Sequence, residues 1–366
     1  MTWSMHSKKL FNMTRIDGSY GEGGGQILRT ALSLSALVKK EVEIYNIRKK
    51  RKTPGLQPQH LTCVQACQEI TQAFVEGAKL QSINLKFSPK KIIGGDFDFN
   101  VAKEKGSAGS VSLVLQSILF PLTFAEKRST IRIQGGTHVP WSPPFTYLKE
   151  VFFPTIRRIG CEVDGEIKRW GFYPMGGGEV CFSVVPAKKI SPLNLIERGK
   201  LLSLSGISAV TNLPLSIAER QKNQATSILR RKGFLPQIQI VDAPSVGKGT
   251  FFFLLAQFEN SLAGFSSLGE IGKSAEKVAE EGCDQFLEFI KSEGVLEHHL
   301  ADQLVSYLAL GEGKSTFTVS RISQHLLTNI WVIQQFLPVK IEVEGKEGGE
   351  GKVSIDSIGV LDQINF

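Results

Sequence analysis

No apolar run in this 366-residue chain approaches the roughly 20 residues that a membrane-spanning helix needs, which removes membrane partners from its expected roles. The first fourteen residues, Met1 to Thr14, lack the apolar centre of a signal peptide and read as a short N-terminal tail. Cysteine is scarce. The five cysteines, at positions 63, 67, 161, 181 and 283, are odd in number and form no paired CxxC motifs, so the expected setting is reduced and cytoplasmic. Cys63 and Cys67 stand four apart on an expected helix, but no second Cys/His pair completes a metal site. Two familiar nucleotide-binding loops are also missing. Gly313-Lys314-Ser315 comes nearest to a Walker A loop, yet Leu308 stands where its first glycine should be. Gly21 to Gln26 lacks the acidic strand end that a dinucleotide-binding fingerprint needs about 20 residues further on.

What is present is the composition of an ordinary globular protein, 42% hydrophobic and 21% charged, in a chain long enough for a sizeable core and two or more domains. Lysine and arginine exceed aspartate and glutamate by 43 to 35. The resulting net charge of +8 and pI near 9.1 favour acidic partners such as nucleotides or nucleic acid.

Apolar periodicity predicts one order of elements three times over. It begins with a strand (Arg15 to Asp17), a helix (Gly25 to Val38), a strand (Glu41 to Ile47), a helix (Gln59 to Phe74) and strands near Leu80 to Phe87 and Asp96 to Val101. The second pass has, after Gly106-Ser107-Ala108-Gly109-Ser110, an apolar helix through Gln116 to Phe124, then a strand (Thr130 to Gln134), a helix (Pro144 to Ile159) and strands at Cys161 to Ile167 and Glu179 to Val185. The third runs from a helix at His299 to Leu310 through strand Thr316 to Ser320, helix Ser323 to Phe336, and strands Val339 to Glu344 and Lys352 to Asp356. Between them, Ile196 to Glu293 does not follow the pattern: strands at Leu201 to Ala209, Gln237 to Val241 and Thr250 to Gln257 join helices Pro214 to Lys232 and Ser274 to Ser292. The expected fold is therefore α/β (α+β), with three repeated βαβαββ-type units of roughly 80 residues forming a large domain. That domain takes residues 15–195 and 294–366, and a smaller α/β domain, 196–293, is inserted before the third repeat.

Chemistry is expected first at Gln324 to Asn329. His325, Thr328 and Asn329 share one helix face, opposite Leu326, Ile330, Ile333 and Leu337. A histidine in a helix's first turn meets free N–H groups and the positive end of the dipole, which disfavour imidazolium and attract phosphate. Such a histidine suits a neutral nucleophile. Gly21-Glu22-Gly23-Gly24-Gly25-Gln26 follows a strand and opens a helix, so its backbone can approach a phosphate while Glu22 serves as a metal ligand or proton acceptor. Alternatively, the glycines serve only tight packing. Arg48-Lys49-Lys50-Arg51-Lys52 is a solvated loop, a nuclear localisation signal or a phosphate clamp, in which arginine forks bind in a bidentate manner. His299, Asp302 and Gln303 form a second polar first-turn face, against Leu300, Leu304 and Leu308.

Taken in order, Glu22-Gly-Gly-Gly-Gln-Ile-Leu-Arg29, Pro54-Gly55-Leu56 with Gln59-His60-Leu61-Thr62, Gly106 to Ser110 leading to Gln116, Gly135-Gly136-Thr137, Gly171-Phe-Tyr-Pro174, His299-Leu-Ala-Asp-Gln303 and His325-Leu-Leu-Thr-Asn329 resemble the RNA 3'-terminal phosphate cyclases, from about Arg15 to Asp356. The resemblance implies a body of three repeats with one inserted domain. It also implies an ATP-dependent ligase that uses magnesium or manganese to convert an RNA 3'-phosphate into a 2',3'-cyclic phosphate. His325 would attack the α-phosphorus of ATP, expel pyrophosphate and hold AMP; AMP would pass to the RNA 3'-phosphate; and the neighbouring 2'-hydroxyl would close the ring and release AMP. Gln116 and His299, Leu300, Ala301, Asp302 and Gln303 would hold the adenosine. Glu22 would bind the metal, and Arg29, Arg48, Arg51 and Gln59 would grip phosphates. The partners implied are ATP and an RNA ending in a 3'-phosphate, with no membrane and no stable protein partner.

Position 299, where bacterial members can carry tyrosine, is histidine here, and either ring can stack on a base. Ser266 and Ser267 stand where an aromatic in the inserted domain can cover the adenine, with Phe265 adjacent. The alternative functions are a non-catalytic cyclase-like protein acting on ribosomal RNA, and a sugar or shikimate-type transferase built from similar units. His325, Glu22 and the arginines weigh against both.

Overall fold

The computed structural model describes residues 13–101 and 108–359; the tail up to residue 12, Gly106 and Ser107 of the glycine-serine segment, and residues 360–366 lie outside the described residues. Within them the fold is mixed α/β, with strands in four four-stranded sheets. The first sheet holds β1 (Thr14–Asp17), β2 (Val42–Tyr45), β3 (Phe74–Glu76) and β4 (Leu85–Ser88) in the order β1-β2-β4-β3. The second holds β5 (Asp96–Asn100), β6 (Ser129–Gly135), β7 (Glu162–Arg169) and β8 (Gly178–Val185) in the order β5-β6-β8-β7. In each, the first pair is parallel and the rest antiparallel.

Strand β9 (Asn194–Leu195) comes next in the chain, followed by β10 (Leu201–Thr211), β11 (Gln237–Asp242), β12 (Gly249–Phe258) and β13 (Leu262–Leu268), which form a sheet of their own in the order β11-β10-β12-β13. The last sheet takes β14 (Glu312–Val319), β15 (Lys340–Gly345) and β16 (Gly351–Ile358), and β9 pairs parallel to β14 at its edge. Its order, β9-β14-β16-β15, matches the first two sheets.

Helices α1 (Gly25–Val38), α2 (Pro58–Thr71) and α3 (Val111–Leu122) pack on one another, and α8 (His298–Leu308) and α9 (Gln324–Phe336) pack together, with α9 also against α1. Between α3 and β7, the segment expected as one helix is divided into α4 (Phe145–Tyr147), a π turn (Leu148–Phe152) and α5 (Phe153–Arg157). Helices α6 (Ser216–Arg231) and α7 (Ala275–Lys291) cover one face of the β10–β13 sheet. Strand alternation sorts that sheet's side chains. Phe252, Leu254, Ala256 and Phe258 face α6 and α7 in a core of their own, whereas Phe251 and Phe253 join the large core.

Four further expectations differ from the structure. Helix α2 stops at Thr71, not Phe74, because Gln72 turns left-handed at φ +51° and sends its N–H to the Gln68 carbonyl; Phe74–Glu76 then pairs with β4. Strand β4 starts at Leu85 because the residues from Leu80 run as loop, with Gln81 at φ +62° and its N–H bonded to the Leu56 carbonyl. Asp96–Asn100 does not close the first sheet but opens the second, parallel to β6. The short β9 and the edge strand β13 have no counterpart in the sequence-based assignment. Both are specified by their partners: two residues of β9 against β14, and seven of β13 against β12.

Candidate active site

The first turns of α1, α2, α8 and α9 open on one cleft of about 1250 Å³. Glu22, Arg29, Arg48, Arg51, Gln59, Gln116, His299, Asp302, Gln303 and His325 all line it. Leu300 and Ala301 do not. They belong to the predicted adenosine set, but their side chains are fully buried on the core side of α8, and the Leu300 N–H is taken by the Glu297 carboxylate.

Helix α9 begins where the Ser323 hydroxyl accepts the Leu326 N–H at 2.9 Å, so His325 falls in the first turn with its side chain half exposed. Both polar neighbours of the imidazole lie at Nδ1: Gln26 Oε1 at 2.6 Å, in hydrogen-bonding geometry, and Glu22 Oε2 at 2.9 Å. The Gln26 oxygen, an acceptor in hydrogen-bonding geometry, assigns the proton to Nδ1 and leaves the Nε2 lone pair for chemistry. Burial lowers the His325 pKa, nearby Asp302 opposes that, and the charges of Arg29 and Arg51 lower it further. The ring is neutral at physiological pH.

The arginines differ in their partners. Arg51 pairs with Glu22 Oε1. Arg48, itself at φ +53°, donates to the Thr53 and Gly55 carbonyls at 2.6 and 3.1 Å and so braces its own loop. The Arg29 guanidinium, one α-helical turn into α1, has no hydrogen bond or ion pair to any described residue, although burial pushes its pKa down. An unpaired guanidinium partly withdrawn from water on a cleft wall calls for an anion. Beside it, Gly25 admits no side chain: a Cβ there would stand 2.4 Å from His60 Nε2 and 3.0 Å from an Arg29 nitrogen. That bare backbone leaves the first N–H groups of α1 open to a ligand.

Four further residues matter here, though the sequence patterns assign them no role. Gln26 orients the His325 ring. His60, third in α2, accepts the Gln57 N–H at Nδ1 (3.2 Å), so its proton sits on Nε2, facing the cleft; burial and the charges of Arg48 and Arg29 push its pKa down to about 3. The signal was local: Pro58 at the helix start with His60 two residues on completes a capping box with Gln57. Buried Glu297 caps α8 by accepting the His299 and Leu300 N–H groups at 2.8 and 2.7 Å, and the Tyr147 hydroxyl bonds to it as well. Asp302 is buried, accepts the Ser323 hydroxyl, and has its carboxyl pushed up to about 7, chiefly by burial. Gln303 accepts from Gln116 Nε2 at 2.9 Å, while Gln59 spends its carbonyl oxygen on the Ser110 N–H at 2.8 Å. Phe265 lines the cleft beside Ser266; Ser267 instead turns inward and bonds to the Val278 carbonyl.

A neutral histidine, an unpaired arginine and several helix N-termini around one cleft define a phosphate-handling α/β protein. A family model described as RNA 3'-terminal phosphate cyclase matches residues 20–343, and the chain belongs to that family. Among curated relatives, the RNA 3'-terminal phosphate cyclase of Methylococcus capsulatus is 44% identical over 94% of this chain and 96% of its own length. Those of Staphylothermus marinus and Methanopyrus kandleri are 43% and 40% identical, covering 98% and 99% of their own lengths.

Proposed function

We propose that the protein is an ATP-dependent RNA 3'-phosphate cyclase acting through a covalent His325–AMP intermediate. The observation that carries this reading is the neutral His325 at the N-terminus of α9, its proton held on Nδ1 by Gln26, in a cleft that Arg29 and Arg51 also line. Nε2 attacks the α-phosphorus of ATP, forming an N–P bond as the bond to pyrophosphate breaks. An oxygen of the RNA 3'-phosphate then attacks the same phosphorus, releasing His325 and taking AMP. Finally the 2'-hydroxyl oxygen attacks the RNA phosphate, loses its proton, and AMP leaves with the P–O bond electrons. Adenylylation replaces a very poor leaving group with AMP, so ring closure becomes feasible.

The roles of this chain's residues follow from their surroundings. Arg29 neutralises phosphate charge, with Arg48, Arg51 and the Gln59 amide group at the phosphate tail. His60 donates from Nε2. Gln116, His299, Asp302 and Gln303 hold the adenosine, with Leu300 and Ala301 supporting them from the core. A divalent metal fits Glu22: its Oε2 is buried and makes no hydrogen bond, since His325 at 2.9 Å is off-angle. No cluster of three or more metal-ligating side chains occurs among the described residues. Magnesium or manganese held by one carboxylate and the substrate's phosphates matches that donor set. When bound, such an ion neutralises the triphosphate.

The three sheets of common strand order are read as copies of one βαβαββ unit in a large domain, 15–195 and 294–366, with 196–293 a smaller inserted domain. Because β9 precedes the insertion and pairs with β14, the insertion falls inside the third unit, after its first strand. No helix among the described residues is long and apolar enough to cross a membrane, and all five cysteines are free, which suits action in the cytoplasm.

The test is to incubate the protein with ATP labelled at the α-phosphate and a divalent metal. Label should remain on the denatured protein through a bond labile to acid and stable to alkali, and should be absent from His325→Ala. If the wild-type chain takes no label under any metal while still binding RNA, it is a non-catalytic relative.

A further inference from the structure

Trp141 lies in the same cleft as His325 and is 96% exposed. The other two tryptophans among the described residues have ring partners. Trp170 is buried and stacks on His138 with centroids 4.0 Å apart, and Trp331 stacks on Tyr20 at 3.9 Å. Trp141 has no ring, hydrogen-bond or ion-pair partner among the described residues. It also holds φ +59°, a left-handed backbone conformation unfavourable for so bulky a side chain. Such an outlier persists only where its surroundings impose it.

The surroundings do so here. Pro140, Pro143 and Pro144 restrict the backbone on either side. The Ser142 hydroxyl bonds to the Val139 carbonyl at 3.1 Å, and the Phe145 N–H closes back on the Thr137 carbonyl at 2.9 Å. Below them the buried His138 ring is fixed between the hydroxyls of Thr137 and Thr146 at 2.8 and 2.9 Å. Only a few residues on, Tyr147 bonds to Glu297, the cap of α8. The indole is thus presented to solvent from a braced loop tied to the helix that carries His299 and Asp302.

Resting on the cyclase reading, we propose that Trp141 is the stacking platform for the 3'-terminal base of the RNA. A substrate that enters as a polymer end meets the mouth of the cleft, where a solvent-facing ring stands ready. The cleft interior has enclosed aromatic walls of its own in Phe120, Phe152 and Tyr307, all buried, so the nucleoside of ATP has no need of an exposed ring. Stacking uses the π-face that every base possesses, so the contact accepts any terminal base.

The experiment separates the two transfers. Wild type and Trp141→Ala are first loaded with labelled AMP without RNA, then chased with oligonucleotides ending in a 3'-phosphate. In Trp141→Ala, loading proceeds as in wild type, while the RNA concentration for half-maximal AMP discharge rises about ten-fold. Trp141→Phe restores most of the loss and Trp141→Leu does not. An oligonucleotide whose terminal nucleotide is abasic weakens wild type similarly and erases the difference between wild type and Trp141→Ala. An unchanged RNA dependence, full rescue by leucine, or a persisting difference on the abasic substrate overturns the proposal. Slowed loading with normal discharge would assign Trp141 to ATP instead. Failure of wild type to load at all would refute the cyclase reading itself.

Discussion

Asn329 on α9 accepts the Thr30 hydroxyl of α1 at 2.7 Å through Oδ1 and donates to the Asp302 carbonyl of α8 at 2.7 Å through Nδ2. One buried amide thereby joins the three helices that carry Arg29, the His299–Gln303 turn and His325. Asn329→Leu leaves the Thr30 hydroxyl and the Asp302 carbonyl without this partner, so it is expected to cost about 1–3 kcal/mol of stability. Urea unfolding measures that cost. AMP loading should fall more than the folded fraction does, because the register of α9 on α8 loosens.

Arg29 leads to the opposite expectation for the ligand-free protein. Removing a partly buried, unpaired guanidinium in Arg29→Met relieves its desolvation, so the variant melts at or above the wild-type temperature. The rise in melting temperature caused by ATP should nevertheless disappear, with affinity lowered at least about 100-fold by loss of charge-assisted bonds. A variant that melts earlier yet keeps the ATP-induced rise would return Arg29 to a packing role.

Glu22→Gln tests the metal assignment apart from turnover. With ATP present, the altered electron paramagnetic resonance signal of bound manganese should be lost or weakened at least about ten-fold in concentration dependence, and chelator should abolish AMP loading of wild type. Unaltered manganese binding would place the ion on the phosphates alone and leave Glu22 as the Arg51 partner.

Two kinds of group set opposite pH dependences of stability. His60 and His138 are held near pKa 3 and His298 near 2, each mainly by burial. Because the unfolded chain binds their protons from about pH 6.5 downward, the stability they contribute is present above that value and is lost as pH falls towards 3. Asp302, at about 7, holds a proton in the folded state that the unfolded chain releases near 4, so its contribution declines as pH rises from about 4 to 7. Asp302→Asn keeps an acceptor for Ser323 and removes that decline. Its stability relative to wild type should be greater at pH 8 than at pH 4 by on the order of 2–4 kcal/mol, read from urea midpoints.

Arg198 fastens the two ends of the segment that carries β10 to α7. Its guanidinium donates to the Phe289, Ser292 and Gly294 carbonyls and lies 4.0 Å from the centroid of Phe289. Arg198→Ala should cost about 3 kcal/mol and expose the chain near Gly294 to protease before the rest of the fold opens.

Local pattern was enough wherever a single element determined the outcome. The apolar spacing of Leu326, Ile330 and Ile333 and the Ser323 cap place His325 in a first turn without help from the rest of the chain. The same holds for the glycine-rich start of α1, the mixed α/β class and the motifs that mark the family. What sequence alone left open depends on contacts between distant residues. Asn194 and Leu195 become a strand only because Thr316 and Phe317 lie alongside, and Gln72 ends α2 so that Phe74–Glu76 can pair with β4. The chemistry of the cleft divides in the same way. That Glu22, Gln26, Arg29 and His325 are polar was plain from the chain. Which nitrogen of His325 keeps its proton, which arginine lacks a partner and which tryptophan stays in solvent were decided by folding, since hydrogen bonds and desolvation exist only once residues 299 positions apart, such as Gln26 and His325, are brought together.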